Sequence, residues 1–77
     1  MDDSEIRGRI EALVEEEHRL RNSSEHTAEQ RNRLRQIEED RDQLWDLLRQ
    51  RDAKRQYGED PDEAKPRPEH QVEGYLQ

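Results

Sequence analysis

TAEQRNRLRQIEEDRDQLWDLLRQRDAKRQY, from Thr27 to Tyr57, is a run of strong helix formers that holds neither glycine nor proline. Such a run predicts one long helix, and the rest of the chain reads as its partner or its tail. Leu34, Ile37, Leu44 and Leu48 recur within it at alternating three- and four-residue spacings, with Arg41 in the one polar slot, so a single stripe faces something apolar. Thr27 and Gln30 have the capping-box spacing, in which each side chain bonds the other's backbone amide. At the far end Gly58 suits the left-handed position after the last turn, Arg51, Lys54 and Arg55 sit near the negative pole, and Asp60-Pro61 forbids continuation.

The partner lies upstream. Ser4 reads as the cap of a first helix over about 4–22, with Asp2, Asp3 and Glu5 placed against its positive end. Ile6, Ile10, Leu13 and Leu20 share an arc of about 80° at 100° per residue, Glu17 falls in its middle and Val14 widens it. Gly8 weakens this helix by about 1 kcal/mol relative to alanine, or marks a close helix contact. Between Arg21 and Arg33 large apolar residues stop, and Asn22, Ser23 and Ser24 compete with helical backbone bonding, which predicts a turn at 23–26 in place of one continuous helix.

Folding back at Ser24 to Glu25 opposes Leu13 with Ile37, Ile10 with Arg41, and Ile6 with Leu44 and Trp45. The expected fold is therefore all-α: an antiparallel two-helix hairpin, coiled-coil-like, over 1–58, with an acidic proline-containing tail over 59–77. Leu47 and Trp45 spread the apolar arc of the second helix to roughly 160°, more than one opposing helix covers, which predicts a homodimer forming a four-helix bundle. The residues expected at that interface are Ile6, Ile10, Leu13, Leu34, Ile37, Arg41, Leu44, Trp45, Leu47 and Leu48.

Composition narrows the function. The chain has 77 residues, 45% charged and 26% hydrophobic, a supply of apolar surface that favours self-association or a borrowed partner. Without cysteine it has no disulfide, thiolate metal site or thiol nucleophile. No segment is long and apolar enough to span a membrane, and the opening Asp2, Asp3, Ser4, Glu5 is unlike a targeting segment, so a cytoplasmic protein with no membrane partner is expected. A net charge of −7 without a basic face argues against nucleic acid, since acids interleave Arg31, Arg33, Arg35, Arg49, Arg51 and Arg55.

Leu13-Val14 with Glu16-Glu17-His18-Arg19-Leu20, Leu44-Trp45-Asp46-Leu47-Leu48-Arg49-Gln50-Arg51, Gly58-Glu59-Asp60-Pro61-Asp62 and the ending Val72-Glu73-Gly74-Tyr75-Leu76-Gln77 together resemble a family of short actinobacterial proteins classed as a domain of unknown function. The resemblance covers nearly the whole chain and implies a small soluble bacterial protein with no activity to carry over. The prokaryotic ubiquitin-like modifiers compare less well, because they end in two glycines before Gln or Glu, whereas this chain ends Gly74-Tyr75-Leu76-Gln77.

Four local patterns carry readings beyond plain packing. Glu15 and His18 share a helical face at a di-metal bundle spacing, but Asn32, Arg35 and Gln36 lie opposite, and an arginine there repels a cation. Leu44-Trp45-Asp46-Leu47-Leu48 has the form of a groove-binding helix, although the same residues are the densest part of the apolar stripe. Glu17 and Arg41 stand out of register for a pair inside the hairpin, which predicts that they meet across a dimer and set its register. Val72, Tyr75 and Leu76 regain apolar character and are expected to dock on the protruding end of the second helix, the other reading being a short binding motif. No catalytic template, enzyme activity or cofactor is expected. The expected role is a structural or protein-interaction module with an unidentified protein partner. The alternatives are a metal- or ligand-binding bundle and, further off, a nucleic-acid accessory protein.

Overall fold

The computed structural model describes residues 1–68, in which two helices stand antiparallel and no strand occurs. The first, α1, spans Asp3–Arg21 and the second, α2, spans Ala28–Gln56. Asp2 caps α1 in place of Ser4, its carboxylate accepting the Glu5 amide at 2.8 Å. A carboxylate one residue earlier answers the same orphan donors and adds charge against the helix dipole. The capping box of α2 forms as read: the Gln30 amide donates to Thr27 Oγ1 at 3.1 Å and the Thr27 amide to Gln30 Oε1 at 3.3 Å.

Past the Tyr57 cap of α2, Gly58 has a φ of 71°, the left-handed conformation that lets the Glu59 amide reach Lys54 O at 2.7 Å and the Gly58 amide reach Arg55 O at 3.1 Å. Gly8 is not at a close helix contact, since a Cβ there would meet nothing within 4 Å.

Ile6, Ile10, Leu47 and Leu48 form the buried core, with Val14, Leu44 and Ala64 packed against them. Ile6 thus lies with Leu47 and Leu48, about one turn beyond the Leu44 and Trp45 expected opposite it, and Trp45 is 41% exposed. The expected register assumed a turn symmetric about Ser24. In the structure Asn22 remains helical, while Thr27 is extended. Extended residues climb about 3.3 Å each against 1.5 Å for helix, so the connection carries the start of α2 past the end of α1.

The change of register also overturns the dimer-spanning pair. Arg41 Nη1 donates to Glu17 Oε1 at 2.9 Å within the same chain. The guanidinium reaches the intervening turn, which Cα register alone did not allow. Glu16 and Arg33 form a two-pronged pair nearer the loop, at 2.6 and 2.7 Å.

Past Gly58 the chain makes a single 3-10 turn, Pro61–Glu63, then runs extended back along α2 toward the hairpin loop. Asp60 caps that turn by accepting the Asp62 amide at 3.0 Å. The segment 64–68 is thus a strap lying on the side of α2 that carries Gln43, Asp46, Leu47 and Gln50. Val72, Tyr75 and Leu76, expected to dock on the protruding end of α2, lie outside the described residues.

Candidate interaction surface

At 100° per residue Gln43, Asp46, Leu47 and Gln50 share one side of α2, neighbouring the stripe that faces α1. Gln50 Nε2 donates to the Lys65 carbonyl at 2.8 Å and Gln43 Nε2 to the Arg67 carbonyl at 3.3 Å, so two glutamines hold the extended backbone as a strand edge would. Between them the Arg67 guanidinium forms a two-pronged pair with Asp46, Nε to Oδ2 at 2.7 Å and Nη2 to Oδ1. Asp46 has no exposed surface, and Gln50 Nε2 gives its Oδ2 a further bond at 2.9 Å. Chiefly through Arg67, these contacts hold the Asp46 carboxyl below its ordinary value against the burial that would raise it.

A second ionic node closes the other end of the hairpin. Arg51, 7% exposed, donates from Nε to Asp3 Oδ1 at 2.6 Å and from Nη1 to Asp62 Oδ1 at 2.9 Å. Arg55 Nη2 adds a 2.5 Å bond to Asp3 Oδ2. One guanidinium therefore ties the start of α1, the last turns of α2 and the 3-10 turn together. Hydrogen bonds from Arg51 hold the Asp3 and Asp62 carboxyls low, with Arg55 adding to the effect at Asp3.

These contacts partition the surface expected for assembly. Ile6, Ile10, Ile37, Leu47 and Leu48 are buried within the chain, and Leu13, Leu34, Arg41 and Leu44 are half-buried. Leu47, expected to widen a dimer face, belongs to the buried cluster against which Ala64 of the strap packs. An open groove of about 490 Å³ remains beside it, walled by Ala12, Leu13, Leu44, Leu47 and Pro66, with Arg9 at its rim. On the other side of α2, Trp45 and Leu48 line a smaller hollow of about 250 Å³ with Arg7 and Asp52. Glu15 and His18 are exposed on α1, and no cluster of three ligating side chains forms among the described residues.

In the sequence Arg51 reads as part of a solvated face, Arg67 as part of an acidic tail and Asp46 only as a member of the Leu44 to Leu48 run, so none of the three stands out as a site residue. One signal was present: Asp46 stands between Trp45 and Leu47 in the densest apolar run, where an acid survives only if something neutralises it.

Residues 2–77 match a family described as protein of unknown function (DUF2630). The chain belongs to this family. Among similar proteins, uncharacterized protein Rv0898c of Mycobacterium tuberculosis and uncharacterized protein Mb0922c of Mycobacterium bovis are each 52% identical to it over 78 residues, spanning 96% of this chain and 90% of the relative. Both come from mycobacteria, in keeping with the actinobacterial resemblance read from the sequence. No solved structure matches the chain. The family match spans both helices, the strap and both ionic nodes, and no helix among the described residues is long and apolar enough to cross a membrane.

Proposed function

We infer that this family member is a non-enzymatic protein-interaction module of the cytoplasm, working as a homodimer joined through the Trp45 side of α2. The observation that carries the reading is Trp45 itself: a large aromatic 41% exposed beside a buried leucine, on a chain poor in aromatics. Tryptophan is the residue type most concentrated at the energetic centres of interfaces. Its surroundings suit a twofold contact, because Arg7 and Asp52 offer both signs of charge on one patch, which can then face a copy of itself. Two hairpins meeting there make a four-helix bundle.

Asp3, Glu16, Asp46 and Asp62 are all held low by arginine hydrogen bonds, so they stay ionised near neutral pH and are poor proton donors there.

Light scattering on a size-exclusion peak tests the dimer directly. The wild-type chain is expected at twice its 9.4 kDa mass. Trp45→Glu is expected to run as a monomer of unchanged helicity, since losing such an anchor weakens association by roughly 2 kcal/mol or more. A wild-type monomer at high concentration would sink the homodimer reading.

A further inference from the structure

Arg35, Glu38, Asp42, Trp45, Arg49 and Asp52 recur along α2 at alternating spacings of three and four, and at 100° per residue they fall within an arc of about 100°. The middle of that arc lies about 110° around α2 from Ile37, Leu44 and Leu48, which face α1. It lies about 100° from Gln43, Asp46 and Gln50, which hold the strap. The stripe therefore faces neither. Its spacing is the one at which a helix keeps a partner helix in contact over several turns.

The order of charges selects how a second copy can lie on it. From Arg35 onward the stripe runs positive, negative, negative, tryptophan, positive, negative. Set antiparallel about a twofold axis midway between Asp42 and Trp45, two copies bring Arg35 to Asp52, Glu38 to Arg49 and Asp42 to Trp45, and the axis repeats each pair. The two Trp45 positions then stand only about 4.5 Å apart along the helix direction, so the exposed rings meet at the centre of the contact. Other arrangements pay in repulsion. Sliding one copy by a heptad sets Glu38 against Asp42, or Asp42 against Asp52, and a parallel pair sets every charge against its own kind. Arg35 and Asp52 are exposed and loosely held within the chain: Arg35 Nη2 reaches Asn32 Oδ1 at 3.5 Å, and Asp52 has Gln56 Nε2 at 3.4 Å and Arg55 Nη1 at 3.8 Å.

We propose that the homodimer pairs its α2 helices antiparallel about an axis between Asp42 and Trp45, with Arg35 of each copy bound to Asp52 of the other. This register rests on the homodimer reading and deepens it, by naming the orientation and the ion pair that selects it. Trp45 supplies the apolar centre, and the charges on either side exclude the other alignments.

The test reverses charges in the full chain and follows dimer dissociation by sedimentation at low salt. Arg35→Glu and Asp52→Arg are each expected to weaken the dimer about fivefold or more, since the axis repeats every lost pair, and the double variant is expected to recover wild-type affinity. Orientation is read separately by a spin label on Ala28→Cys, an exposed position outside the stripe in a chain without cysteine. Antiparallel helices in this register place the two labels about 45–50 Å apart, against less than about 25 Å for parallel ones. A dimer in which the double variant fails to recover, or in which the labels lie close together, would overturn the register and leave the homodimer standing. A wild-type monomer would remove both.

Discussion

Asp46 and Arg67 carry unequal risks, because the aspartate is fully buried while the arginine side chain keeps 39% of its exposure. Removing the arginine leaves a buried carboxylate supported mainly by Gln50, whereas removing the aspartate leaves a guanidinium that water can reach. Arg67→Ala is therefore expected to cost about 1–3 kcal/mol in urea unfolding at neutral pH, and more than Asp46→Asn. The pair also has a pH signature. The folded Asp46 carboxyl titrates below the 3.8 of the unfolded chain, so the unfolded state binds protons first on acidification. Its stabilisation is full above about pH 4–5 and is lost as pH falls through 3.8 toward the depressed folded value. Urea midpoints measured against pH should fall less steeply below pH 4 for Asp46→Asn than for wild type. Equal slopes would mean that this carboxylate is not held low.

The elements were largely legible in the sequence, because what starts and stops them is local. Thr27 with Gln30, Gly58 and Asp60-Pro61 act within a few residues of themselves, and each does in the structure what its type and position dictate. Gly8 is the informative ambiguity, since a glycine inside a helix reads equally as a weakness or as a contact. The open space around it decides for weakness, as does its exposure. Gly8→Ala is expected to stabilise the chain by up to about 1 kcal/mol, readable as a higher melting temperature in circular dichroism. A lower melting temperature would show that something closes on α1 there.

Across the whole molecule, the hairpin followed from the stripe of Ile6, Ile10, Leu44 and Leu48, but its register and the strap did not. Register depends on how far each connecting residue climbs, and the strap depends on glutamine and arginine side chains whose targets are chosen only in three dimensions. Arg51 illustrates the difficulty: on a helix so rich in arginine nothing local separates the buried one from those in solvent. Replacing it with a shape-similar neutral residue tests its reach. Arg51→Met is expected to speed amide hydrogen exchange both in the first turns of α1 and in Pro61–Glu63, two places far apart in sequence. Faster exchange at one alone would mean that the other is held independently.

Viewed as polymer topology, that guanidinium closes two rings of very different circumference. The ring to Asp62 spans a separation of 11 residues and the ring to Asp3 a separation of 48. Because closure entropy grows only with the logarithm of length, the larger ring costs roughly 1.3 kcal/mol more than the smaller one. On closure entropy alone the short ring forms more readily, and once formed it presents an already oriented donor to Asp3.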